Sequence, residues 1–271
     1  MPIPLDNMAG GFGGGYVYVA AGQSNGKPTK AAFRMKYPEC LSWEQLPDFD
    51  GAVRLQACGV VQDGSTSQNF YLLGGYAPAT DTSLCVVHDD AIVYDANGKR
   101  WFHTSKFVVD GERKSLVGAN AIVSGSTNIV CVGGVDREVF EAAVNRPNLI
   151  KQAEKQKDTA SLTVLLNDAD SYMKHDPDWY EFQDELLIYN TITDEWVTES
   201  SSEKLSRAGA GLVAYNGHWI VVNGETKPGI RSSDVTAVTM TTKTNFGWLN
   251  WTVLIVYLLG MLMLGFYFMR R

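Results

Sequence analysis

The sequence is short of most groups that carry metal, redox or nucleic-acid chemistry. Its four cysteines (Cys40, Cys58, Cys85 and Cys131) form no C-x-x-C pair, which excludes a tight disulfide framework and a zinc knuckle. Cys131 lies in an apolar run and reads as a small core residue; a disulfide among the other three stays open. The four histidines, at 88, 103, 175 and 218, include no pair four residues apart, so no metal site and no cofactor are expected. Basic residues are in deficit, 23 Lys and Arg against 30 Asp and Glu, for a formal charge of −7. The last 27 residues carry only Arg270 and Arg271, so the charge divides into +2 there and −9 before it. No nucleic-acid partner is expected of a chain without a basic surplus. Nor does it offer long-range steering to an anion, so recognition of an acid would rest on individual arginines. The opening MPIPLDNMAGG has no basic n-region and no apolar h-region, the parts of a secretory signal.

What the chain does have is a repeat. Four segments share one grammar: a small-residue strand, a polar turn, an apolar strand ending in Gly, a loop, then a strand bearing aromatics. The apolar strands are YVYVAAG to Gly22, FYLLGG to Gly75, NIVCVGG to Gly134 and HWIVVNG to Gly224. The first three units close on Trp43, Trp101 and Trp196, and the fourth continues as DVTAVTM. The glycines are 53, 59 and 90 residues apart; removing roughly forty residues between Phe140 and Asp184 brings the last gap near fifty, the period of kelch-type propeller blades. Alternating β-branched and aromatic residues between Gly, Asn and Asp predict short antiparallel strands. The fold expected is therefore all-β, a kelch-type β-propeller over residues 8–240 with four blade-like units. Tyr94 to Trp101 and Tyr189 to Trp196 have the same spacing across a turn, which predicts a facing pair that packs blade against blade.

Residues 141–184 interrupt the third unit. Asn145 to Asp170 reads as helix, with Leu149, Ala153, Ala160, Leu162, Leu165 and Leu166 loosely on one face. This insertion is either a solvated decoration or a lid with Trp179, Tyr180 and Phe182 as its apolar underside. The loop NGETKPGIR (Asn223 to Arg231) puts Glu225 and Arg231 on one Pro-Gly bend after an apolar strand. A guanidinium there can fork onto a carboxylate while the acid moves a proton. Arg54, Arg137, Arg207 and Arg231 each stand near a strand end, and two of the four are expected in a pocket.

Three stretches extend the pattern: GAVRLQACG (Gly51 to Gly59), VGGVDREVF (Val132 to Phe140) and VNGETKPGIRSSDV (Val222 to Val235). In this order, with the insertion, the chain resembles the sialic acid mutarotases (N-acetylneuraminate epimerases), which are six-bladed kelch propellers. The resemblance covers roughly residues 8–240. It implies an isomerase that interconverts the anomers of sialic acid or a related acidic sugar, with Glu225 and Arg231 catalytic; beside them Arg54, Gln56, Arg137 and Arg207 are the candidates for substrate binding. It also implies two blades beyond the four visible, so a fragment is expected. The alternative class is a non-catalytic module that binds sugar or protein with the same residues.

Leu249 to Met269 carries no charge and is long enough to span a bilayer. Trp248 and Trp251 stand at one end, and Tyr267 with Arg270 and Arg271 at the other, which predicts a cytoplasmic C-terminus and an extracytoplasmic propeller. This tail resembles the first transmembrane helix of sodium/solute symporters, which implies that a transporter follows.

Overall fold

The computed structural model describes residues 1–240 and 247–270. The chain divides into two units, Met1–Val238 and Thr239–Arg271. The first holds four small antiparallel sheets, each a blade. In chain order these are Ala9–Gly13, Tyr16–Ala20, Ala32–Lys36 and Trp43–Leu46; then Cys58–Asp63, Gln68–Leu73, Asp90–Asp95 and Arg100–Lys106; then Asn120–Ser124, Asn128–Val132, Glu185–Asn190 and Glu195–Ser201; and last a three-stranded sheet of Gly211–Tyr215, His218–Val222 and Val235–Val238. Each is a meander in which sequence neighbours pair, so the blades follow one another along the chain.

The first strands of neighbouring blades pack against each other. Glycine permits the contact: a Cβ at Gly59 would lie 2.6 Å from the main chain of Gly10. At the end of each second strand the chain then takes two consecutive left-handed residues, Ala21–Gly22, Gly74–Gly75, Gly133–Gly134 and Asn223–Gly224, all at positive φ. The glycine pattern visible in the sequence thus marks a backbone turn that other side chains would strain; in the outer two blades Ala21 and Asn223 take its first position and glycine its second.

That turn brings the chain against the start of its own blade, where the four blades make one further shared contact. The Gln56 amide donates to the Asn7 carbonyl at 3.0 Å, Gly118 to Gln56 at 3.1 Å, and Gly209 to Gly118 at 2.7 Å. One residue from each blade is therefore linked head to tail by main-chain hydrogen bonds. All four are left-handed, with φ of 49°, 51°, 68° and 62°.

Aromatic contacts close the space between blades farther out. Tyr94 faces Trp101 and Tyr189 faces Trp196 across their strand pairs, as their equal spacing predicts. Tyr18 stacks on Phe70 at 5.3 Å to join the first blade to the second, and Phe107 meets Trp196 at 4.5 Å to join the second to the third. Such pairs add about 0.5–1.5 kcal/mol beyond the area they bury.

Two residues before the linked positions Asn7, Gln56, Gly118 and Gly209, which mark the axis of the blades, stand Leu5, Arg54, Leu116 and Arg207. Leu116 is fully buried, and the two arginines at equivalent places are buried as deeply. Arg54 Nη1 donates to the carbonyls of Gly74 (2.9 Å) and Asp90 (3.0 Å), and its Nη2 to Asp90 Oδ1 at 2.6 Å. Arg207 Nη1 repeats the pattern on the carbonyls of Asn223 (3.0 Å) and Asp234 (3.4 Å). Each arginine pins the left-handed turn of its blade to the strand that follows.

The insertion differs from its expected extent. Helix α1 runs Arg137–Gln156, beginning eight residues before Asn145, and α2 runs Thr159–Ser171. Asp136 starts α1 by accepting the Val139 amide at 2.9 Å, an N-cap buried in a stretch that reads as the exit from a strand. Lys157 ends it in the left-handed conformation, and the Asp158 side chain caps α2 through the Ser161 amide. One long helix is thus two. The second unit contains helix α3, Trp248–Met269, 22 residues without a charged side chain and apolar enough by length and composition to cross a membrane. Arg271 lies outside the described residues.

The Arg54–Asp90 pair sets a stability prediction. Burial pushes the Asp90 carboxyl up, but the Arg54 charge and hydrogen bonds from Arg54 and His103 outweigh it and hold the group below its ordinary value. A lowered carboxyl stabilises the fold fully above the ordinary aspartate value, and that contribution is lost as pH falls through the lowered one. Arg54→Met should cost about 3 kcal/mol, the lower part of the range for breaking a buried pair because Asp90 keeps His103 and some solvent. In urea titrations from pH 7 to 3, the gap between wild type and Arg54→Met should narrow at the acid end. A constant gap would show that the arginine stabilises without the carboxylate.

Candidate functional site

A cleft of about 950 Å³ opens over the axis residues of the blades. Its floor is the main chain at Asn7, Gln56, Gly118 and Gly209. One wall is α1, which turns Asp136, Val139, Phe140, Ala143 and Val144 to the cavity. These fall at i, i+3, i+4, i+7 and i+8, one face of a helix. Polar bonds to the second blade set the helix in place: Asn145 accepts the Cys85 amide at 2.6 Å, and Glu141 the Val87 amide at 2.7 Å. Phe140 packs edge-on against Tyr76 at 4.9 Å.

Tyr172, Tyr180 and Phe182 complete the apolar wall. Tyr180 is fully buried and gives its hydroxyl hydrogen to the Tyr172 carbonyl. Trp179, expected beside them on the underside, faces outward instead. It stacks on His175 at 4.0 Å and is 43 % exposed, because the short 3-10 turn Pro177–Tyr180 sends successive side chains to different sides. The insertion therefore lines the cavity rather than decorating the surface.

The polar wall is a two-stranded ribbon, Glu225–Lys227 paired with Ile230–Arg231. Pro228 and Gly229 turn it, with Gly229 at φ 75°, the residue order of a type II turn. That turn puts Glu225 directly opposite Arg231 in register. Arg231 Nε lies 3.6 Å from Glu225 Oε1, and the Gly229 amide reaches Oε2 at 3.4 Å. The main chain of Glu225 is fixed by reciprocal hydrogen bonds with Ala208 at 2.8 and 2.9 Å. Glu225 directly follows the left-handed pair of its blade, where the other blades have Gln23, Tyr76 and Val135.

Of the six residues singled out in the sequence, Glu225, Arg231 and Gln56 line this cavity. Three arginines do not. Arg54 and Arg207 are the buried turn pins described above. Arg137 is the first residue of α1; its Nη2 donates to the Val87 carbonyl at 2.9 Å and lies 3.8 Å from Asp89. One arginine of the four thus faces the cavity rather than two. The sequence signal of a strand-end arginine is the same in both cases; the difference is whether main-chain carbonyls lie within its reach.

Asn7, Asp136 and Lys227 were not singled out. Asn7 and Gln56 share the axis position, a signal open to anyone aligning the blades. Lys227 Nζ donates to the carbonyls of His175 (2.9 Å) and Met173 (3.4 Å), tying the ribbon to the insertion. Among the described residues no group of three or more His, Cys, Asp or Glu clusters as metal ligands would.

Comparison with known proteins gives one consistent family. The family model described as N-acetylneuraminate epimerase matches residues 1–257. The N-acetylneuraminate epimerase of Yersinia enterocolitica is 26% identical over 238 residues, 87% of this chain and 55% of the relative. That of Pasteurella multocida is 27% identical over 234 residues, 86% of this chain and 56% of the relative. The chain spans about half the length of these curated relatives. The solved structure of YjhT shares the fold with a TM-score of 0.69 at 21% identity, over 90% of this chain and 68% of that one.

The Lys227 contact predicts how ribbon and wall are coupled. Removing one charge-assisted hydrogen bond at a partly exposed site costs about 1 kcal/mol, roughly a fivefold change in a local opening equilibrium. In Lys227→Met, amides between 172 and 182 should exchange about fivefold faster in hydrogen–deuterium exchange, with the blade strands unchanged. Unaltered exchange there would mean that the insertion is held without the ribbon.

Proposed function

This chain belongs to the N-acetylneuraminate epimerase family, and from that premise we propose that its cavity interconverts the anomers of N-acetylneuraminate or a related acidic sugar. The observation that carries the proposal is the cross-strand pairing of Glu225 with Arg231 at the cavity wall. In a 2-keto acid sugar the carboxylate is attached to the anomeric carbon itself. A group that clamps the carboxylate must therefore stand beside the group that moves the anomeric proton. Residues opposite each other in an antiparallel pair have Cα atoms about 4.5–5.5 Å apart, which meets that demand.

The chemistry then needs proton transfer alone. Glu225 takes the proton of the anomeric hydroxyl; the bond from the anomeric carbon to the ring oxygen breaks, and Glu225 returns the proton to the ring oxygen, directly or through water. The open-chain keto acid turns about the bond between its keto carbon and the next carbon of the chain, and closure on the other face reverses each step. No electrons are transferred and no atom is lost, so no cofactor enters. Arg231 holds the carboxylate by a two-pronged hydrogen bond throughout. Its side chain is 81% exposed and only loosely paired, so it can leave Glu225 for the ligand.

The proposal extends to location. Helix α3 would cross a membrane, about 33 Å at 1.5 Å per residue, with Arg270 and Arg271 on the cytoplasmic side and the blades outside. The resemblance of the tail to a sodium/solute symporter's first helix supports a role in preparing sugar for uptake. The lengths of the curated relatives leave room for two further blades, which would complete a six-bladed kelch propeller.

Glu225→Gln should slow anomer exchange by about 10²-fold or more, the usual contribution of general acid–base catalysis, while sugar still binds; Arg231→Met should weaken binding. Proton NMR on freshly released sugar measures both. Binding with no acceleration over the spontaneous rate in wild type would favour the non-catalytic module. For orientation, Cys40 is the exposed cysteine and Cys58, Cys85 and Cys131 are buried. A membrane-impermeant maleimide should label Cys40 in intact spheroplasts; labelling only after lysis would overturn the outside placement.

A further inference from the structure

The four axis residues occupy equivalent places but are not equivalent chemically. In the first two blades the position bears a carboxamide, Asn7 and Gln56; in the third and fourth it is bare, Gly118 and Gly209. Positive φ alone does not require glycine here, since Asn7 and Gln56 adopt the same backbone at 49° and 51°. Nor does steric crowding. A Cβ at Gly209 would meet nothing within 4 Å, and one at Gly118 would make ordinary contacts of 3.5 Å and beyond. The space above these glycines is the cleft itself, on the side of Glu225 and Arg231. Neither fold nor packing therefore explains why half the floor lacks side chains.

We propose that the bare half seats the sugar ring and the amide-bearing half reads its hydroxyl groups. With no Cβ at Gly118 and Gly209, a ring can settle onto the main chain beside the Glu225–Arg231 ribbon. The Asn7 and Gln56 carboxamides each offer donors and an acceptor, the complement of hydroxyls that both give and receive. Both side chains are exposed to the cleft, and among the described residues neither has a hydrogen-bond partner. The floor thus sets both position and substrate class: an acidic sugar with a polyhydroxylated side chain, oriented with its anomeric end toward Arg231. The inference rests on the sugar-binding reading above and deepens it.

Gly209→Asn tests it, because asparagine tolerates this backbone and fills only the cleft. Gly217→Asn is the control: φ is 78°, nothing lies within 4 Å of its Cβ, and it sits in a turn away from the cavity. Calorimetric titration of the full chain with N-acetylneuraminate should show Kd rising at least tenfold for Gly209→Asn and unchanged for Gly217→Asn. Should Gly209→Asn fail to fold, Asn7→Ala and Gln56→Ala remove exposed atoms only. Each should raise Kd about fivefold for the whole sugar and leave an analogue lacking the hydroxylated side chain unaffected. Wild-type binding in Gly209→Asn, or in both alanine variants, overturns the inference and leaves the function standing. A wild type that neither binds the sugar nor speeds anomer exchange overturns the function, and the inference with it.

Discussion

The structure depends on how closely four strands approach one another at the axis. Where the first strands of the first two blades meet, Gly59 lies on Gly10 with no room for a Cβ between them. The chain must therefore leave each blade through backbone conformations that most residues avoid. The consecutive left-handed residues at the end of each second strand, the head-to-tail hydrogen bonds from Asn7 to Gly209 and the buried arginine pins all answer that one constraint. Residues held in such conformations persist because their surroundings over-determine them. The result is a rigid floor whose positions are set by main chain, not by the packing of flexible side chains.

A rigid repeated floor makes small departures from the repeat consequential. After the left-handed pair the four blades carry Gln23, Tyr76, Val135 and Glu225 at one position. The backbone there is held by the same bridge in the first, second and fourth blades. In the fourth blade the residue is a carboxylate, and a Pro-Gly turn folds an arginine back onto it. In the second it is Tyr76, which receives Phe140 of α1. One blade thus carries the acid–base pair of the cavity wall and another the seat of the insertion, with little change to the shared frame. The insertion then gives the cavity an apolar wall that four blades alone do not provide, and Lys227 links that wall to the ribbon.

Much of this was legible in the sequence, and the limits are physical. Glycine periodicity shows because no other residue meets the close approach cheaply. The Tyr–Trp pairs show because a two-stranded turn fixes their register. The fates of Arg54 and Arg207 did not show, since a guanidinium serves equally well on a ligand or on main-chain carbonyls. Only comparison with the equivalent Leu5 and Leu116 reveals that the position belongs to the interior. The start of α1 was hidden because Asp136 both follows a strand and caps a helix. Trp179 was misplaced because a 3-10 turn has no two-fold alternation to tell inward from outward.

Charge decides what kind of recognition such a cavity can perform. The residues before the apolar tail carry a net −9, a field that repels an anion at long range. Arg54 and Arg207 offer no hydrogen bond to a ligand in the cleft, because their donors are taken by carbonyls and, for Arg54, by Asp90. Screening limits the unfavourable field to about 8–10 Å at physiological salt, so an acidic ligand gains only on reaching Arg231 itself. Capture is then local and geometric: affinity depends on the fit of the neutral part of the ligand to the floor and the aromatic wall. A site of this kind selects by shape first and by charge last.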